Sequence, residues 1–129
     1  MSGLDCNTIL KNIKMKRQNI GKSPYTPGNK YKISLQKGDV TIEFIQYAGD
    51  PPMTTKGEII FQLIRDVSTV NFAKNVEDWK MMFLDISAKD ESYYIYSKQT
   101  FDELRILSKK LHVLFSDYEY EILRQKAIH

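Results

Sequence analysis

The chain has one cysteine, Cys6, and two histidines, His112 and His129, among 129 residues. One thiol forms no intrachain disulfide, and with two imidazoles it falls short of a structural zinc site. No metal and no cofactor are expected. Long apolar runs are also missing. Met81-Met82-Phe83-Leu84 is among the longest and is far too short to cross a bilayer. Lysines separate Ile9, Ile13 and Ile20, so no signal peptide is expected. The sequence therefore reads as intracellular, in a cytoplasm or, for a viral protein, the host cytoplasm, with no membrane partner.

Catalytic signatures are equally scarce. There is no Gly-x-x-x-x-Gly-Lys-Ser/Thr, no Gly-x-Gly-x-x-Gly and no Gly-x-Ser-x-Gly. His112 and His129 read as surface residues, and Cys6 as an incidental thiol. The acids occur singly or as adjacent pairs, Glu77-Asp78, Asp90-Glu91 and Asp102-Glu103. Such pairs usually cap helices or face solvent. No enzyme is expected.

What is present is an uneven charge. The net charge is only +3, but residues 1–38 hold eight bases against one acid, a net +7. The remainder holds eleven bases against fifteen acids, a net −4. A positive end on a mildly acidic body fits a polyanionic partner, or a tail that keeps the chain dissolved. At 15.1 kDa the chain makes one globular domain with its own core.

Residues 1–29 read as a basic arm, with an amphipathic helix over residues 7–17, and residues 30–129 as a single α+β domain. Lys30–Lys37 alternates apolar Tyr31, Ile33 and Leu35 with polar neighbours, the pattern of a half-buried strand. Lys37-Gly38-Asp39 supplies a turn and Val40–Tyr47 a second strand, which makes a hairpin. Residues 48–57 read as a loop, and Glu58–Val67 as a third, more covered strand. Residues 68–78 are a loop or one helical turn. Residues 79–87 are a strand or a helix, with the strand preferred. Residues 88–91 read as a turn and Ser92–Lys98 as a strand. Thr100 and Glu103 have the spacing of a capping box. Phe101, Leu104, Leu107, Leu111, Leu114 and Phe115 then form a helical stripe that can run to about Leu123, with Ser116-Asp117 as an interruption. The expected fold is a curved antiparallel sheet of four to five strands with a C-terminal helix.

Fourteen of the fifteen aromatic residues are Tyr or Phe, and several adjoin bases, as in Lys30-Tyr31-Lys32, Tyr94-Ile95-Tyr96-Ser97-Lys98 and Lys22-Ser23-Pro24-Tyr25. Lysines that follow phosphates, beside aromatic faces that stack on unpaired bases, suit single-stranded nucleic acid. The bases are fifteen Lys and four Arg, which favours phosphate contact over bidentate base readout. From the arm and its loop, Lys16, Arg17, Lys22 and Tyr25 are candidates for that contact. On the helix, Ile106, Val113, Tyr118 and Ile122 widen the apolar stripe, so part of it can face a second subunit.

Two stretches carry a resemblance. One is Lys30-Tyr31-Lys32-Ile33-Ser34-Leu35, the turn, then Val40-Thr41-Ile42-Glu43-Phe44. The other is Tyr94-Ile95-Tyr96-Ser97-Lys98-Gln99-Thr100-Phe101-Asp102-Glu103-Leu104. Together with the basic arm they resemble the positive-cofactor-four family of single-stranded-DNA-binding proteins, which includes small bacteriophage members and, more distantly, the Whirly proteins. The resemblance spans residues 28–116. It departs from the family at 48–57 and 68–78, which are longer than the family core needs. It implies DNA binding in replication or recombination, with Lys30, Lys32, Lys37, Tyr47, Lys56, Tyr94 and Lys98 in the groove. It also implies a homodimer or higher oligomer formed through the helix, with Leu107, Leu111, Leu114 and Tyr118 at the contact. Single-stranded DNA is the expected partner, and RNA stays open. The alternative is a protein-interaction module, such as an inhibitor, adaptor or virion component, that binds no nucleic acid.

Overall fold

Asp5 opens the first element by accepting the Thr8 N–H at 2.8 Å, which caps a short helix, α1 (Cys6–Lys11). The computed structural model describes residues 5–24, 27–47, 53–78 and 91–128, with only the backbone described over 91–99. After α1 come three strands, β1 (Lys14–Lys22), β2 (Asn29–Lys37) and β3 (Val40–Tyr47). Among the described residues the longer helices that follow are α2 (Lys56–Phe72), α3 (Glu91–Leu114) and α4 (Asp117–Ile128). The fold is α+β, with an open antiparallel sheet in the order β1-β2-β3.

The hairpin forms where the alternation placed it. Gly38, at φ 59°, opens its two-residue turn, and Leu35 pairs with Ile42 behind it. The expected boundary at residue 29 does not separate an arm from a domain. Ile9 and Ile13 are buried in the core, and β1 pairs with β2 from Lys14↔Gln36 to Lys22↔Asn29. The helix expected over 7–17 ends at Lys11 with Asn12 as its C-cap, and from Lys14 to Gln18 exposure alternates in the period of a strand. A bulge between Asn19 and Lys22 bends its end, with Gly21 at φ 116° and its N–H held by Asn19 Oδ1 at 2.9 Å.

Two expected strands are helices. Glu58–Val67 lies inside α2, whose Thr55–Glu58 capping box is complete: Glu58 N–H reaches Thr55 Oγ1 at 3.2 Å and Thr55 N–H reaches Glu58 Oε1 at 3.1 Å. Its buried residues, Ile59, Ile60, Leu63, Ile64, Val67 and Val70, recur at helical spacing. α2 runs on through Ser68–Phe72, and a further helical turn covers 76–78. Ser92–Lys98 belongs to α3, so Thr100 lies within a helix and caps nothing. Only the hairpin half of the family resemblance keeps its expected form. Residues 79–87 and the turn at 88–90 lie outside the described residues.

The apolar stripe of α3 is buried as expected, from Phe101 to Leu114. Phe115 closes the helix under full burial, and Ser116 caps α4 in a second capping box with Glu119. Ile33, Leu35 and Ile42 on the inner sheet face join α2, α3 and α4 in one core. Leu107, Leu111 and Leu114 belong to that core at 6%, 0% and 2% exposure. They are therefore not available to a dimer contact, and of the four residues expected there only Tyr118 is exposed. Among the described residues no helix is long and apolar enough to cross a membrane.

Candidate functional site

The sheet has one face in the core and one in solvent, and the register decides which residue goes where. Directly paired residues share a face. The rows Met15·Leu35·Ile42 and Arg17·Ile33·Phe44 point inward. The rows Lys14·Gln36·Thr41, Lys16·Ser34·Glu43 and Gln18·Lys32·Ile45, with the pair Lys30·Tyr47, point outward. The outer face thus gathers Lys14, Lys16, Lys30 and Lys32 against a single acid, Glu43. Lys32 Nζ lies 3.3 Å from Glu43 Oε2, with both side chains about half exposed, so solvent screens the pair.

The residues expected to bind nucleic acid separate into groups. Lys16, Lys30, Lys32 and Tyr47 share the outer face, and Tyr47 is half-buried beside Lys30. Lys22 is exposed at the end of β1. Arg17 points inward: its guanidinium lies 3.5 Å from the Tyr31 ring centre, and its Nε donates to Gln46 Oε1 at 3.1 Å. That contact removes Tyr31 from any stacking platform on the outer face. Lys37 donates to Glu119 Oε1 at 2.8 Å, and Lys56 donates to the Ile13 carbonyl at 2.9 Å. Both lysines tie helices to the sheet region rather than facing a ligand. Tyr25 lies outside the described residues, as do the side chains of Tyr94 and Lys98.

A second feature lies at the edge of β3, where no described strand pairs. A cleft of about 340 Å³ is lined there by Phe44, Ile45, Gln46 and Tyr47 from β3. Residues of both sheet faces take part, as expected at a strand edge. α2 contributes Leu63, Gln62 and Asp66 to it, and α3 contributes Thr100, Glu103 and Leu104. Gln62 Nε2 donates to Asp66 Oδ1 at 2.8 Å, and Gln62 Oε1 accepts from Arg65 Nη2 at 3.0 Å. Burial pushes the Asp66 carboxyl up to about 6, outweighing the Gln62 hydrogen bond and the Arg65 charge, which both act to lower it. Burial pushes Glu103 up as well. Among the described residues neither carboxylate has an ion-pair partner.

In the sequence Glu103 reads as part of a cap or a solvated face, and Asp66 belongs to no motif. The available signal was the Gln62/Asp66 spacing of four, a polar interruption beside the apolar stripe of α2. Among the described residues no group of three or more potential metal ligands occurs. Cys6 is half-buried, its Sγ 3.9 Å from the Ile122 carbonyl oxygen. His112 packs on Tyr120 at 4.2 Å between ring centres, and His129 lies outside the described residues. Comparison with known protein families, with curated proteins and with solved structures finds no match.

Proposed function

We propose that the chain binds single-stranded nucleic acid, without catalysis, on the outer face of its sheet. The observation that carries this reading is the four-lysine face, Lys14, Lys16, Lys30 and Lys32 against Glu43 alone. Lysine ammonium groups spaced along adjacent strands suit successive phosphates and release their counterions. Tyr47 is the one tyrosine that the register places beside them, so on this face phosphate contact outweighs stacking and the face itself reads little of the sequence. DNA is the first substrate to test, with RNA alongside.

Fluorescence anisotropy of labelled oligothymidine and oligouridine, followed against salt, tests the reading. Four phosphate contacts on a single strand give a log–log slope of about −3. No binding at low salt, or a slope near zero, overturns it.

A second reading has its own observation. Phe72, Val113, Tyr118 and Ile106 are 80%, 68%, 63% and 55% exposed. Large apolar side chains in water favour a protein partner. Under that reading the chain binds no oligonucleotide at any salt concentration.

A further inference from the structure

Ile45 and Tyr47 belong to two surfaces at once. They stand on the outer face beside Lys32 and Lys30, and they line the cleft that holds Asp66 and Glu103. The basic face and the acid-lined cleft therefore share a border. We propose that this cleft is a base-specificity pocket, taking guanine from a nucleotide whose phosphate rests on Lys30 and Lys32. The proposal rests on the reading of the outer face as a nucleic-acid surface and adds base selection to it.

The chemistry follows from what each part lacks. Gln62 occupies Asp66 Oδ1, and Arg65 is turned to Gln62 at 3.0 Å. Asp66 Oδ2 and the Glu103 carboxylate are left without an ion pair among the described residues. Both acids are partly buried, and acceptors partly withdrawn from water gain from donors brought to them. Guanine alone among the common bases presents two adjacent donors, N1–H and N2–H, on its pairing edge, which Glu103 can accept through both oxygens and Asp66 through Oδ2. Thymine and uracil present one N–H between two carbonyls, whose oxygens would face the carboxylates. Phe44, Leu63 and Leu104 supply apolar walls for the flat faces of a base. At about 340 Å³ the cleft is within the usual range for small-molecule sites and larger than a purine. A simple amine would satisfy the carboxylates but would leave the lysines on the rim without a role. A nucleotide satisfies both.

Calorimetric titration of the full chain with GMP, IMP and UMP tests the inference, with oligothymidine as a separate measurement. GMP is expected to bind about tenfold or more tighter than UMP, with IMP, which lacks the 2-amino group, in between. Asp66→Asn is expected to remove the preference, and Glu103→Gln serves where that variant does not fold. Equal affinity for GMP and UMP, or no binding of either, overturns the inference. If oligothymidine still binds in that case, the nucleic-acid reading stands and the pocket alone fails. A GMP preference that both variants retain also overturns it. A GMP preference lost in either variant, with no oligothymidine binding, upholds the pocket as a mononucleotide site and removes the broader reading.

Discussion

The outer face of the sheet and the cleft at its edge are neighbours built in opposite ways. The face comes from one continuous stretch, residues 14–47, by simple alternation. Most of its side chains are solvated, so its charge can change without disturbing the fold. The cleft draws on β3, α2 and α3, and its polar groups lie among core residues such as Leu63 and Leu104. Its chemistry and its stability cannot be altered separately. A surface that works by charge is tuned residue by residue, whereas a buried site is tuned only with its surroundings.

The largest expected effect separates the two regions most sharply. Replacing Lys14, Lys16, Lys30 and Lys32 together with Gln removes every lysine that the register places on the face. Oligothymidine affinity at low salt is expected to fall about a hundredfold or more, and the salt slope to flatten. The melting temperature, followed by circular dichroism, is expected to stay nearly constant. A large drop in stability would show that these lysines hold the fold and that the two regions are not independent.

On the cleft side the expected pattern reverses. Leu63 is 4% exposed and forms part of the cleft wall. Leu63→Ala is expected to destabilise the fold by about 2–5 kcal/mol in urea unfolding. Oligothymidine affinity, measured where the variant is still folded, is expected to change little. Weakened binding in the folded variant would mean that the cleft shapes the lysine face.

The comparison also explains what was legible in the sequence. β2 and β3 were, because Tyr31-Lys32-Ile33-Ser34-Leu35 alternates in a period that only a strand uses. α2 was not, because Ile59, Ile60, Phe61, Leu63 and Ile64 are apolar on both strand faces and so fit a buried strand as well as a helix. The deciding signal was Thr55-x-x-Glu58 just ahead of them, and Ser116-x-x-Glu119 marked the start of α4 in the same way. Thr100-x-x-Glu103 has the same spacing inside a helix, which shows that the motif needs a breaker before it to mean a cap. Ser92–Lys98 misled because tyrosine and isoleucine favour strands only where packing does not decide otherwise. The lysine face exists only through the pairing of β1 with β2, and Lys14-Met15-Lys16-Arg17 reads in the sequence as the end of a helix. Asp66 and Glu103 are far apart in the chain, and the partial burial that distinguishes them depends on the whole fold.

pH sharpens the contrast within the buried part. The folded Asp66 carboxyl titrates at about 6 against an ordinary 3.8, so the protonated form is favoured by folding. Stability from this group is full below the ordinary value and is lost as pH rises through about 6. Asp66→Asn keeps an oxygen for Gln62 and avoids the charge. It is expected to stabilise the fold at pH 8 by at most about 3 kcal/mol, and not at pH 3. Glu119 behaves in the opposite sense. The Lys37 hydrogen bond holds its carboxyl below the usual glutamate range, so its contribution is present at neutral pH and is lost as pH falls. Glu119→Gln is expected to cost about 1 kcal/mol at pH 7 and little at pH 3. Melting curves of both variants across pH should diverge in opposite directions. Parallel curves would mean that Asp66 is well hydrated and that the cleft carries no desolvated charge.

The smallest effect tests the outer face from its one exception. Glu43 is the single acid that the register places there, 3.3 Å from Lys32. Exposed pairs of this kind contribute about 0–1 kcal/mol, so Glu43→Gln is expected to leave the melting temperature almost unchanged. If the face binds nucleic acid as proposed, the same substitution removes a negative charge from beside the phosphates and frees Lys32 to meet one. Oligothymidine affinity at low salt is therefore expected to rise a few-fold, with the gain fading as salt screens the face. A fall in affinity would mean that Glu43 itself meets the partner, and a lysine face that needs its acid is a protein-binding surface rather than a phosphate-binding one.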